Sequence, residues 1–70
     1  MELEKWEMKV GRNIRKYRLK RGQTLQQTAD QFGCALRTWQ RFEEGNNNFE
    51  LYTIIRIAKV LKIQPWRLWK

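Results

Sequence analysis

The stretch from 24 to 45, TLQQTADQFGCALRTWQRFEEG, constrains this chain more than any other. Its spacing predicts two short helices joined by a tight turn. Ala29 and Gly33 are four apart, Trp39 follows six later, and Phe42 three after that. Two helices that cross steeply need a small side chain where their backbones come closest, and Ala29 supplies it. The turn needs a residue that tolerates positive φ, and Gly33 does so without steric cost. Trp39 and Phe42, three apart, share one face of the second helix and are expected to point at the core. The opposite face carries Arg37, Gln40 and Arg41. A helix that is apolar on one side and rich in Arg and Gln on the other suits a DNA major groove. The alternative is an ordinary helical hairpin with a solvated polar face.

Seventy residues allow one small domain, here residues 1–70, and 41% hydrophobic content with four Trp is enough for one core. The net charge of +8 implies a polyanionic partner, either nucleic acid or an acidic membrane. Histidine is absent, and no cysteine cluster or carboxylate constellation is present. Catalysis, a metal site and a cofactor are therefore not expected. The lone Cys34 excludes an internal disulfide and suits a reducing cytosol. It falls at the predicted turn and reads as a small buried residue. No long apolar run or signal-peptide pattern occurs, so a soluble, unexported, cytoplasmic protein is expected.

The rest of the chain reads as support for that stretch. A helix is predicted near 4–21, where Trp6, Val10, Ile14 and Tyr17 form a helical stripe. Its acidic start complements the helix dipole. Seven basic residues and no acid lie between Lys9 and Arg21. Most read as a solvated face, and some as long-range attraction for phosphate. Gly22 suits the helix C-terminus. A second helix near 25–32 starts at Thr24, which with Gln27 has the form of a capping box. The third, near 36–44, begins after Ala35, a poor N-cap. Gly45 ends it, and Asn46, Asn47 and Asn48 form a polar turn. Leu51, Ile54, Ile55, Ala58 and Leu61 predict a fourth helix near 50–61. Pro65 suits the first position of a fifth, near 65–69, with Leu68 pointing inward. Trp66 and Trp69 either complete the core or form a dimer patch. The fold class expected is all-α, a compact five-helix bundle around a central helix-turn-helix.

These residues resemble a known family. VGRNIRKYRLKRGQTLQQTADQFG, then ALRTWQRFEEG, then IIRIAKVLKIQPWRL is similar to the phage-repressor and Cro type of helix-turn-helix domain, the lambda-repressor-like or XRE group. The likeness spans about residues 10–69. Its elements are an Arg-x-x-Arg helix, Ala and Gly four apart, Glu-x-Gly, and an Ile-Ala-x-x-Leu helix. The resemblance implies that Arg18 and Glu43 form a partly buried ion pair between the first and third helices. It implies that Leu36, Arg37, Gln40 and Arg41 face bases, with Thr38 at the edge. It assigns Thr24 and the loop Asn46, Asn47, Asn48 to the DNA backbone. The second helix of the family often begins with a phosphate-clamping Gln. Leu25 stands there instead, and the neighbouring Gln26 is the substitute to consider. Gln23 and Thr28 occupy positions that are usually apolar, which predicts a wetter seam. Trp39 is much larger than the usual Ile or Val. Glu44 is acidic where phosphate would be near, and Phe49 replaces a frequent Pro.

The function expected from this resemblance is sequence-specific binding of double-stranded DNA by a homodimeric transcription regulator of repressor or controller type, on a palindromic operator. The dimer contact would involve Trp66, Leu68 and Trp69. Arg37 and Arg41 are candidates for guanine, Gln40 for adenine and Leu36 for a thymine methyl group. A different class is an antitoxin-like interaction module that also binds DNA, whose C-terminal tryptophans would anchor a toxin or another regulator domain. A basic amphipathic membrane binder is a third class, disfavoured because the apolar faces are committed to a core.

Overall fold

The computed structural model describes residues 5–70. The stripe predicted for the first helix forms α1, Trp6–Lys20, and Lys5 is its N-cap. The expected start at residue 4 lies outside the described residues. Val10 and Ile14 are fully buried, Tyr17 is half-buried, and Trp6 is half exposed with its ring 6.1 Å from that of Phe49. Next come α2, Leu25–Phe32, and α3, Leu36–Glu44. The chain continues into α4, Leu51–Leu61.

The fifth helix is not an α-helix. Pro65–Leu68 is a single 3-10 turn, so the bundle has four α-helices and one turn among the described residues. The Arg67 N–H donates to the Gln64 carbonyl at 3.1 Å and Trp69 N–H to Trp66 at 3.3 Å. Four residues offer too few partners for an i to i−4 ladder, and the tighter i to i−3 bond closes first. Asn13 on α1 secures this turn, donating from Nδ2 to the Leu68 carbonyl at 2.7 Å.

The core gathers Val10, Ile14, Ala29, Trp39, Phe42, Phe49, Ile54, Ile57, Ala58, Leu61 and Leu68. Its aromatic part is continuous. Phe42 meets Phe32, Trp39 and Phe49 at centroid distances of 5.3, 5.6 and 5.9 Å. α1 and α2 both pack on α3, while α4 packs on α2 and α1.

This packing bears on three expectations. The apolar repeat that predicts α4 includes Leu51 and Ile55, but its buried side is formed by Ile54, Ile57, Ala58 and Leu61. Leu51 is 65% exposed and Ile55 stands at the surface beside it. A 3.6-residue period cannot centre an apolar stripe when nearly every position is apolar. Leu68 points inward as expected and has no exposed surface, so it serves the core and is not available to the dimer contact it was also assigned to. At the seam near α2, buried Thr28 turns its hydroxyl onto the Thr24 and Leu25 carbonyls of its own helix, so it brings no unpaired polar group there.

Candidate nucleic-acid interface

The first turn of α2 is built by Thr24. Its Oγ1 accepts from the Gln27 N–H at 3.1 Å, and the Gln27 side chain accepts from the Thr24 N–H at 2.8 Å. This reciprocal cap fixes where α2 begins. Gly33 ends the helix at φ +89°, and the Cys34 N–H reaches back to the Ala29 carbonyl. Arg56 of α4 adds a second restraint, donating to the Phe32 carbonyl at 2.8 Å while stacking on the Phe32 ring. Cys34 is half-buried at this turn, and burial pushes its thiol pKa up.

α3 is held from its inner side. Trp39 is fully buried and Phe42 nearly so. Glu43 is the polar anchor. Its Oε1 accepts from Arg18 Nη2 at 3.1 Å, and its Oε2 accepts from Arg18 Nε at 2.5 Å and from Trp39 Nε1 at 2.7 Å. Arg18 Nη1 donates to the Gln23 carbonyl at 2.9 Å. One guanidinium thus ties α1, the approach to α2 and the end of α3 together. Its planar fork suits this, since a Lys would offer no bidentate geometry. The Arg18 side chain is 9% exposed and its donors are engaged internally.

Close backbone contact completes the α1–α3 joint. A Cβ added at Gly11 would stand 2.6 Å from the Glu43 carbonyl oxygen and 2.7 Å from that of Phe42. One added at Gly45 would stand 2.6 Å from the Met8 Cα, and Gly45 also has φ +71°. These two glycines let the C-terminal end of α3 lie directly on α1.

The outer side of α3 is open. Leu36, Arg37, Thr38 and Arg41 are exposed, and Gln40 is half-buried. Arg37 and Arg41 are one helical turn apart, as are Leu36 and Gln40, so these four form one surface with Thr38 at its edge. From 36 to 41 it extends about 7.5 Å along the axis, roughly two base-pair steps. Leu25 at the start of α2 shares a cleft with Gln40 and Glu44 of α3 and Arg15 of α1. Thr24 is exposed there, and Gln26 is exposed with its amide donating to Asp30 at 2.8 Å. Asn46, Asn47 and Asn48 line a separate hollow with Lys5 and Glu7. Glu44 is exposed at the edge of α3. Ala35 gives no side-chain cap to α3.

Trp66 and Trp69 stand apart from this surface, on a turn that packs against α1 and α4. Both are 43% exposed. Two cations lie over the first of them: Arg67 and Lys70 are 5.2 and 5.0 Å from the Trp66 ring. The Arg67 guanidinium holds the Tyr17 pKa below its ordinary value.

Sequence reasoning had not given Gly11, Asn13 or Arg15 a role. A glycine inside a helical pattern is a visible signal, since it costs about 1 kcal/mol against Ala unless packing requires it. Asn13 and Arg15 carried none that set them apart from other polar residues on α1.

With four helices, an αL turn at Gly33 and an outward-facing α3 in place, the architecture can be matched. The fold is that of helix-turn-helix transcription regulators. The restriction-modification controller protein C.AhdI from Aeromonas hydrophila superposes with a TM-score of 0.81 at 27% identity, over 89% of this chain and 94% of that one. The clp gene regulator ClgR from C. glutamicum gives 0.89 at 15% identity, covering 94% and 86%. The hypothetical transcription factor NHTF from Neisseria gives 0.86 at 22%, covering 100% and 84%. No protein-family model matches the sequence, and no curated protein matches it significantly. No helix among the described residues is long and apolar enough to cross a membrane.

Proposed function

We propose that this chain is a sequence-specific regulator of transcription that binds double-stranded DNA as a homodimer on a palindromic operator in the cytoplasm. The observation that carries this reading is the two-sidedness of α3. Trp39, Phe42 and Glu43 lock its inner side to the scaffold, and Leu36, Arg37, Thr38, Gln40 and Arg41 are presented on its outer side. A rigid helix with two free guanidinium groups one turn apart fits a groove whose guanine edges each accept two hydrogen bonds. The net charge of +8 supplies the attraction to phosphate that precedes readout. The similarity to a restriction-modification controller protein supports a regulator of controller type.

Roles follow from position. Arg37 and Arg41 read guanine, Gln40 reads adenine, and Leu36 and Thr38 meet thymine methyl groups or the groove edge. Thr24, Gln26 and the loop Asn46, Asn47, Asn48 hold the backbone, joined by Arg15 from the cleft beside Gln40. A single helix reads few base pairs, so two copies would address successive major grooves about 34 Å apart.

Selection from random duplexes at stated salt tests the proposal. A palindromic motif is expected, and Arg41→Ala should flatten preference at one position of each half-site. An unselective pool, or a mutant profile identical to the parent's, would refute the assignment.

A second reading, an antitoxin-like module with a protein partner, draws on the half-exposed Trp66 and Trp69. A partner that co-purifies with the chain and is lost on Trp66→Ala/Trp69→Ala would favour it.

A further inference from the structure

A group of cations gathers on the side of α1 that α3 does not use. Arg18 stands on the side of α1 that meets α3. Lys16 and Lys20 are each two residues from it, about 200° round the helix at 3.6 residues per turn. The body of α1 therefore separates both lysines from α3. There they are exposed and lie over the Tyr17 ring, Lys16 Nζ at 5.5 Å and Lys20 Nζ at 5.8 Å from its centroid. The 3-10 turn packs beside them, tied to α1 by the bond from Asn13 to Leu68. Arg67 of that turn and Lys70 after it lie over the Trp66 ring, both exposed. Arg67 holds the Tyr17 pKa down, and Lys16 and Lys20 act on it in the same sense, so the two pairs of cations share one field.

No acidic side chain of the elements packed here answers this charge. Residues 8–29 and 51–70 contain no Asp or Glu, and α1 beyond Glu7, α4 and the 3-10 turn are all drawn from them. Glu7 lies by the hollow at Asn46, Asn47 and Asn48, and Glu43 faces Arg18 on the other side of α1. Folding thus gathers like charges that repel one another, and a bound polyanion would relieve that repulsion. A second copy of the chain would not, since a two-fold contact sets the patch against itself. The rings narrow the choice of polyanion. Trp66 and Trp69 are each 43% exposed beside the cations. Cations for phosphate next to an exposed ring for a base suit an unpaired strand, whereas a duplex keeps its bases stacked inside. An anionic membrane would be entered by an apolar helix face. Here Val10, Ile14 and Leu68 of the same elements are buried in the core.

We propose that Lys16, Lys20, Arg67 and Lys70, with the Trp66 ring among them, form a second nucleic-acid surface that holds a single strand on the side of α1 away from α3. The cations meet its phosphates and a base stacks on Trp66. The Asn13 amide is engaged by the Leu68 carbonyl, and the remaining polar groups are cations and one phenol. Nothing in the patch is therefore set to read a base edge or a 2′-hydroxyl, and the surface takes DNA and RNA strands alike. This site lies beyond the function proposed above and does not depend on what α3 reads.

Fluorescence anisotropy of the full chain with labelled oligothymidylate and oligouridylate tests it. The two strands should bind within about threefold of each other. Log affinity should fall against log salt with a slope of about 3, roughly 0.7 for each of the four cations. Lys16→Gln/Lys20→Gln and Trp66→Ala should each weaken the strand about tenfold, while affinity for the duplex selected above stays within about threefold. Trp66→Phe, which keeps a ring, should recover most of the loss. Arg37→Ala/Arg41→Ala should do the reverse, losing the duplex and keeping the strand. Polyglutamate of matched charge should compete about tenfold less well than either strand. A parent chain that binds neither strand, or variants that weaken strand and duplex alike, would overturn the proposal. So would polyglutamate that competes equally, which marks an acidic protein as the partner, or phosphatidylserine vesicles that hold the chain when the strands do not. A duplex pool that stays unselective while the strands bind as stated would sink the function proposed above and leave this surface standing.

Discussion

Glu43 serves three neighbours at once, and its loss should be felt more than that of any exposed acid. Two bonds from Arg18 and one from the Trp39 indole converge on its carboxylate. Glu43→Leu would strand the Arg18 guanidinium and the indole N–H in a nearly closed site. We expect a loss of about 3–5 kcal/mol in urea unfolding. Arg18→Met/Glu43→Leu should recover a large part of it, because neither charge is then left alone. Gly11 makes the opposite kind of contact, defined by what is absent. Helix propensity alone favours Gly11→Ala, yet a methyl group there would meet two carbonyl oxygens of α3 below 3 Å. The variant should lose roughly 1–3 kcal/mol. A melting temperature equal to or above the parent's would show that α1 and α3 can part freely. The family resemblance named the Arg18–Glu43 pair. The third donor, Trp39, lies four residues before Glu43 on α3, so spacing allows that contact but does not fix the side-chain directions that make it. Gly11 shows in the sequence only as a glycine inside a helical pattern, and the carbonyl groups it packs against belong to a distant part of the chain.

At the scale of elements, the four helices end alike. Each closes on a left-handed residue with an N–H reaching back five positions: Gln23 to Arg18, Cys34 to Ala29, Asn46 to Arg41 and Ile63 to Ala58. Glycine fills three of these positions, and Gly22, Gly33 and Gly45 accordingly marked helix ends in the sequence. Lys62, at φ +58°, fills the fourth, so that end had to be inferred from where the stripe stopped. The starts are less uniform. Among the described residues only Thr24 caps a helix through its side chain. Ala35 leaves the first N–H groups of α3 to solvent or to phosphate. Ala35→Ser should stabilise the protein by about 0.5–2 kcal/mol, read as a raised melting temperature. If it does not, the α3 start is already satisfied by other means. The last element fell short of a helix because it has too few residues, which Pro65 could not reveal.

For the whole molecule, charge and shape divide the work. Most cations are exposed, where under the proposed function they would attract DNA at a distance, whereas Arg18 is consumed by the scaffold. Arg15 sits between these groups, in the cleft with Gln40 and Leu25. Arg15→Gln should weaken binding evenly across duplexes and lower the slope of log affinity against log salt by about 1. A changed base preference instead would make Arg15 part of the readout. Arg41→Ala is expected to do the reverse, altering preference more than salt dependence.

Much of this protein follows from local chemistry. Apolar periodicity, the capping box at Thr24 and the glycines at helix ends act within a few residues, so helix-turn-helix order and the outward set on α3 could be read directly. What needed the tertiary structure was the choice among equivalent apolar residues. Leu51 and Ile57 are alike in composition and both on α4, yet one is exposed and the other buried. Leu68 and Trp69 are neighbours divided in the same way. Burial is decided by which other helix lies overhead, and that depends on contacts between remote segments that a linear pattern does not encode.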